Sequence, residues 1–125
     1  MAFPRLHRNR YMNLTTFRKN GAAVPTTVWF AADAEQGDKL YVMTAAHAGK
    51  VKRIRRNAQV EVAPATMRGH ALDAAQEAMA RILPDGEARH ADRALNRKYT
   101  WQKWIFDAVA RMRGYERVYL EITPM

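Results

Sequence analysis

Four short segments alternate between apolar and other side chains with the period of two that is typical of half-buried strands. They run over Val24 to Ala31, Leu40 to Ala45, Gln59 to Ala63 and Val118 to Thr123. The stretch from Ala34 to Lys39 predicts a turn that joins the first two segments into a hairpin. Helical patterns follow the strands without regular alternation, which favours a mainly β fold of the α+β class over a doubly wound sheet.

Three other segments predict helices. Val51 and Ile54 form one apolar face of a short helix whose other faces are cationic, and Glu87 to Arg97 is a second helical segment. A third helix is predicted from Trp101 to Met112, where apolar residues recur at helical spacing and Gly114 is placed to end it.

The segment from Ala71 to Leu83 fits both periodicities. Leu72, Ala75 and Met79 share a helical face, whereas alternate residues from Leu72 to Ile82 would share one face of a strand. Its alanine content favours a helix on propensity. The residues by themselves leave both interpretations open.

Length and composition predict a single domain over residues 1–125. Apolar residues make up 48% of the chain, enough for one core, and no repeat, linker or low-complexity tract divides it. Cysteine is absent, which excludes disulfides, thiol catalysis and cysteine metal sites. No segment has the apolar length of a membrane span or a secretory signal, so we expect a cytoplasmic protein without a membrane partner.

The basic run between the second and third strands is the most informative stretch for function. It places five cations in seven residues, with no acid among them: Lys50, Lys52, Arg53, Arg55 and Arg56. Such charges repel one another unless they are solvated or matched by an anion. A helix that begins near Gly49 would add its N-terminal amides, and Thr44 a hydroxyl, to a phosphate site. The alternative is a solvated basic face that only keeps the protein soluble.

Other sites are weakly indicated. The net charge of +9 would attract nucleic acid, but the basic run is bounded by apolar strands and forms no continuous stripe, so we expect no nucleic-acid partner. Asp33, Glu35 and Asp38 are interpreted as solvated turn residues. The four histidines lack metal-ligand spacing, and no P-loop, GxGxxG or GxSxG motif occurs, so we predict no metal site and no dedicated catalytic residue.

Several longer stretches together resemble the pyridoxamine-phosphate-oxidase-like split-barrel superfamily, and within it the group of deazaflavin (coenzyme F420)-dependent oxidoreductases. They are YMNLTTFRKNGAAVPTTVWFA, KLYVMTAAHAGKVKRIRRNAQVEVAP, MRG, RKYTW and VYLEITP. The stretch after MRG, HALDAAQEAMARIL, is richer in alanine than the family pattern. The resemblance implies an FMN-binding-like split β-barrel of about six antiparallel strands with peripheral helices, assembled as a homodimer with two cofactor sites at its interface.

The resemblance also implies cofactor contacts. The positions that match the phosphate site are Thr44, Ala45, Lys50, Arg53 and Arg56, and Lys52 belongs to the same basic run. The strand that matches the one beside the cofactor ring contains Val24, Pro25, Thr26, Thr27, Val28 and Trp29. Secondary contacts are implied for Arg68 and, in the other subunit, for the region from Lys98 to Trp101.

The function implied by the resemblance is hydride transfer from coenzyme F420 to a small unsaturated or carbonyl-conjugated substrate. The cofactor would supply the redox chemistry, and main-chain amides of Thr26 to Trp29 would bind the edge of its ring. The density of cations favours the more anionic deazaflavin. The alternatives are an FMN-binding oxidase or reductase of the same fold, and a noncatalytic protein that carries a flavin, F420 or haem.

Overall fold

The computed structural model describes residues 3, 6, 9–33, 38–99, 107 and 116–125. Their secondary structure comprises β1 (Tyr11–Phe17), β2 (Ala23–Trp29), β3 (Ala31–Ala32), β4 (Leu40–Ala45), α1 (Gly49–Arg56), β5 (Gln59–Ala65), β6 (Gln76–Ile82), α2 (Asp85–Lys98) and β7 (Arg117–Pro124). The strands form one antiparallel sheet in the order β2-β1-β5-β6-β7-β4-β3. This curled sheet with two helices is the expected mainly β split barrel, with seven strands instead of about six because the two-residue β3 is an additional strand.

β1 is the strand that residue alternation failed to indicate. Its inward residues Met12, Leu14 and Thr16 are buried, but polar residues on both faces hide the period of two. β2 pairs with β1 along its whole length, from Tyr11 opposite Trp29 to Phe17 opposite Ala23. The predicted hairpin is therefore wrong for most of the first segment: only β3 pairs with β4, and residues 34–37 of its turn lie outside the described residues.

β6 shows that most of the ambiguous segment is a strand. Ala78 and Ala80 are buried on its inner face, at 0% and 3% exposure. β5 pairs with one side of β6 and β7 with the other, so ladder hydrogen bonds on both edges override the helical propensity of alanine. Residues 71–75 form no regular element before the strand begins.

Of the two apolar clusters that the described residues form, the larger fills the barrel interior. It is built from the inner faces of the strands together with Phe3, Leu6 and Ile54 of α1, and it includes Met12, Leu14, Phe30, Leu40, Val42, Val60, Val62, Leu120 and Ile122. The smaller cluster lies outside the sheet, where Ala91, Ala94 and Leu95 of α2 pack on Tyr41 and Tyr119. Burial of these helical faces fixes both helices against the sheet.

The structure confirms the first two predicted helices. The predicted third helix lies outside the described residues except at Asp107, which is helical and forms an ion pair with Arg117 of β7. Among the described residues, neither α1 nor α2 has the length and hydropathy of a bilayer-spanning helix.

Candidate functional site

A cleft of about 350 Å³ lies where the curled sheet does not close, between β2 and β4. β2 is one end of the sheet, and β3 extends the other end only beside Leu40 and Tyr41 of β4. Within the described part of the chain, no strand pairs with the outer edge of β2 or with residues 42–45 on that side of β4. Strand edges of this kind present main-chain donors and acceptors to a ligand, and the cleft volume is that of a small-molecule site.

The structure brings together residues from two separate parts of the sequence prediction. Six predicted site residues line the cleft: Thr27, Val28, Trp29, Thr44, Ala45 and Lys50. The first three come from the strand matched to the cofactor ring and the last three from the predicted phosphate site. The fold therefore joins the two predicted halves into one cavity.

Lys50 places a cation at this cleft from the first turn of α1. It is half-buried, and loss of hydration, with a smaller contribution from repulsion by Arg53, lowers the pKa of its ammonium group. The N-cap residue Ala48 has no side-chain acceptor for the helix amides, and the first turn contains no acid. A bound anion would offset both the helix dipole and the unfavourable charge of Lys50.

The other cations of the basic run have different environments. Arg53 Nε donates to the buried Thr16 hydroxyl at 2.6 Å, and its guanidinium packs beside Gly49, where a Cβ would lie 2.8 Å from Nη1. Arg56 Nη2 donates to the carbonyl of Phe17 at 3.1 Å. Lys52 and Arg55 are exposed. The basic run thus has three parts. Lys50 lines the cleft, Arg53 and Arg56 form hydrogen bonds to β1, and Lys52 and Arg55 face solvent.

The other predicted residues that the structure describes do not line the cleft of their own chain. Val24, Pro25 and Thr26 precede the lining residues on β2, and Thr26 Oγ1 donates inward to the Leu14 carbonyl. Arg68 is exposed beside Met67, in the connection between β5 and β6. Trp101 lies outside the described residues.

Lys98 is held at the end of α2 by contacts within its own chain, and its predicted contact with a cofactor of the other subunit stays a prediction. Its Nζ donates to the carbonyl of Asn9 at 2.6 Å and lies 3.6 Å from the centre of the Phe30 ring. Although the residue as a whole is exposed, this packing strips water from the ammonium, and with repulsion from Arg10 it lowers the pKa of Lys98 to about 8.

Five of the described lining residues were not predicted for the cleft of their own chain: Tyr11, Met43, Met67, Leu95 and Tyr99. Tyr99 lies in the region from Lys98 to Trp101, for which a contact was predicted only in the other subunit. Tyr99 stacks on Trp29 with ring centres 5.0 Å apart and planes 10° apart. Its hydroxyl accepts from the Phe30 amide and lies within hydrogen-bonding distance of the carbonyls of Phe30 and Arg10. The stretches YMNLTTF and RKYTW contain both tyrosines, but no spacing in them marks a shared cavity.

Asp33 is buried at 6% exposure and is not the solvated turn residue that was expected. Its carboxylate accepts from the Tyr41 hydroxyl at 3.0 Å and lies 2.9 Å from His90 Nε2 of α2. Burial and the neighbouring carboxylate raise the pKa of Tyr41. This group ties α2 to β4 beside a second, more polar cleft of about 330 Å³.

The cleft between β2 and β4 combines two chemical environments. Trp29, Tyr99, Met43 and Leu95 supply flat or flexible apolar surface, whereas Lys50 and the first turn of α1 supply positive charge. Within the ranges described, no three or more histidine, aspartate or glutamate side chains are grouped to hold a metal ion. The arrangement suits a ligand with a planar aromatic part and an anionic part.

Comparison with solved structures shows the same fold in several bacterial proteins. HutZ, the haem storage protein of Vibrio cholerae, has a TM-score of 0.71 at 14% identity over 98% of this chain and 86% of its own. An FAD-binding protein of Mesorhizobium loti has a TM-score of 0.68 at 18% identity, over 99% and 87% of the two chains. A pyridoxamine 5'-phosphate oxidase-related, FMN-binding protein of Nostoc punctiforme has a TM-score of 0.60 at 16% identity, over 98% and 76%.

Sequence comparison defines the family. No curated protein matches the chain significantly. The family model of pyridoxamine 5'-phosphate oxidase, by contrast, matches residues 2–125, which is nearly the whole sequence. The split-barrel fold and the cleft between β2 and β4 are consistent with this family match. The chain belongs to the pyridoxamine 5'-phosphate oxidase family.

Proposed function

We propose that the protein is an oxidoreductase that binds the phosphate of a flavin-type cofactor at Lys50 and its ring between β2 and β4. The observation that carries this proposal is the meeting of an aromatic, strand-edged cleft with the cationic first turn of α1. Solved structures of the same fold include FMN- and FAD-binding proteins, which supports the class of cofactor.

The described residues fit such a cofactor on two counts. The stacked pair Trp29 and Tyr99 gives the cleft a rigid apolar wall that suits a tricyclic ring. The half-buried ammonium of Lys50 lacks an acid in the first turn of its helix, so a phosphate would be its natural counter-charge. A histidine-ligated haem fits less well, since no histidine is among the described lining residues.

The cofactor would supply hydride chemistry when it is bound. The chain would hold and orient it: main-chain groups of β2 would bind the polar edge of the ring, and Lys50 would anchor the phosphate. Tyr99 would hold the Trp29 ring in position by stacking on it, because the Tyr99 hydroxyl is hydrogen-bonded to the backbone at Phe30 and Arg10. The apolar side chains of the cleft would exclude water from the reacting face of the ring.

FMN and coenzyme F420 are the two candidates, and each has its own support. The FMN-binding structure of the same fold favours FMN. The exposed Lys52 and Arg55, which follow Lys50 on α1, favour the deazaflavin because they remain available to a longer anionic tail. We retain F420-dependent reduction of a small unsaturated or carbonyl-conjugated substrate as the more specific proposal, with an FMN enzyme as its alternative.

Direct titration tests the proposal. The purified protein would be titrated with FMN, FAD and F420 while cofactor fluorescence is followed, and the bound cofactor would then be reduced and mixed with candidate acceptors. We expect saturable binding of FMN or F420 and faster reoxidation by an acceptor than in free solution. Failure of all three cofactors to bind would overturn the proposal, and binding without any accelerated transfer would leave a carrier instead of an enzyme.

A further inference from the structure

Asn13 joins the two sides of the cleft that are formed by β2 and by the connection between β5 and β6. It lies on β1, half-buried, on the opposite face from the core residues Met12 and Leu14. Its Nδ2 donates to the carbonyl of Gly69 at 2.8 Å, and its Oδ1 accepts from the Thr27 hydroxyl at 2.9 Å. One side chain therefore links β1 to its neighbour β2 and to a turn that lies 56 residues later in the sequence.

The proton positions in this bridge follow from the chemistry of the groups. A carbonyl oxygen only accepts hydrogen bonds, so the amide nitrogen of Asn13 must face Gly69. The amide oxygen then faces Thr27, whose hydroxyl must donate its single proton to it. The bridge thus has one satisfied arrangement, and aspartate or alanine at this position would break it.

The connection that Asn13 holds is a tight turn against β2. Gly69 has a φ of +88°, donates its amide to the Thr66 carbonyl at 2.9 Å, and approaches Thr27 so closely that a Cβ would lie 2.8 Å from Oγ1. Two residues earlier, Met67 lines the cleft with 70% of its surface exposed, more than any other large apolar residue that the structure describes. An exposed thioether beside an aromatic-walled cleft is suited to cover a ring that enters it.

We propose that Asn13 is a positioning residue that holds the turn of residues 66–70 so that Met67 contacts the ring of the bound cofactor. The identity of the ligand in this inference rests on the proposed function. The position of the turn rests on the hydrogen bonds of Asn13 to Gly69 and Thr27. Asn13 acts on the ligand only through Met67 and the turn.

The turn is tested without any ligand, by limited trypsin digestion. Arg68 is an exposed cleavage site inside the turn, and its cleavage can be followed by mass spectrometry of the peptides. We expect Asn13→Ala to speed cleavage after Arg68 by about tenfold, because two hydrogen bonds that oppose local opening are lost. Asn96→Ala is the matched control: it also removes an asparagine hydrogen bond, to Asp92 on α2, but should leave cleavage unchanged.

Ligand contact is tested by FMN and F420 titration of a double-mutant cycle. Met67→Ala should weaken binding by about three- to tenfold through loss of the thioether contact, with cleavage after Arg68 unchanged. Asn13→Ala should weaken binding similarly, and the double variant should bind no more weakly than Asn13→Ala alone. A residue that only stabilises the barrel would give additive losses.

Each outcome decides one part of the inference. Cleavage of Asn13→Ala at the wild-type rate would overturn the positioning role, and wild-type affinity in Met67→Ala, or additive losses, would overturn the ligand contact. If Asn13→Ala does not fold, Gly69→Ala displaces the same turn by steric conflict with Thr27 and must give the same two effects. If the wild-type protein binds no cofactor, both the proposed function and the contact between Met67 and the cofactor ring are overturned. The rate of trypsin cleavage after Arg68 would still decide whether Asn13 holds the turn.

Discussion

Lys50 and Arg55 belong to the same basic helix, but only Lys50 lines the cleft, while Arg55 is exposed. We expect Lys50→Ala to weaken cofactor binding at least tenfold, since a charge-assisted contact to phosphate contributes about 1.5–3 kcal/mol. Arg55→Ala should have little effect. Isotherms for both variants at low and moderate salt check this, and small effects of equal size that salt abolishes would instead indicate a solvated basic face.

Lys98 gives the fold a specific dependence on pH. Its pKa is about 8 in the folded protein and 10.5 in an unfolded chain, so between these values the unfolded state binds more protons. The unfolding free energy of the wild type should therefore rise with pH in that window, relative to Lys98→Met. Urea denaturation of both proteins below pH 8 and again between pH 8 and 10.5 measures this difference, and a constant difference would contradict it.

The charged side of the cleft was predicted from the sequence, whereas only Val28 and Trp29 of its apolar side were predicted. Lys50, Thr44 and Ala45 are neighbours in the chain, so a local strand, turn and helix pattern is enough to place them together. Tyr11, Met67 and Tyr99 meet only because three distant segments converge. No local spacing encodes such a meeting, and tyrosine and methionine also occur in protein cores that bind no ligand.

Helix α1 is attached to strand β1 by Arg53, whose Nε donates a hydrogen bond to the fully buried Thr16 hydroxyl. We expect Arg53→Lys to destabilise the protein by about 1–3 kcal/mol, because lysine keeps the charge but lacks the fork that reaches Thr16 while covering Gly49. Arg55→Lys on the exposed face is the control and should be neutral. Urea midpoints compare the two, and equal stability would show that charge alone attaches the helix.

The sequence pattern indicates a strand where the residues of one face are apolar. It gives no clear signal where pairing with neighbouring strands determines the conformation. The sequences of β4, β5 and β7 alternate because the apolar residues of their inner faces enter the barrel core, although α2 also buries Tyr41 and Tyr119 on the outer face. β1 carries Thr16 among its buried residues, and β6 is rich in alanine, so neither has a local signal stronger than the competing ones. Their conformation comes from neighbours on both edges, which a single segment does not reveal.

For the whole molecule, we expect a homodimer. The outer edge of β2 is unpaired among the described strands and borders an aromatic cleft that remains open on one side, which a second subunit would cover. Light scattering at micromolar concentration should give about twice the 14.3 kDa chain mass. A mass near 14.3 kDa would contradict it.

The alanines of β6 affect the cleft from the far side of the barrel. β6 is the middle strand of the seven, so β2 and β4 are brought face to face by the curvature that accumulates on its two sides. Ala78 and Ala80 put only methyl groups on its inner face, which lets the sheet bend tightly around the core. We expect a larger side chain at either position to flatten the bend and move the two walls apart. The width of the cleft, and with it the thickness of the ligand that it accepts, would then depend on residues that do not line it.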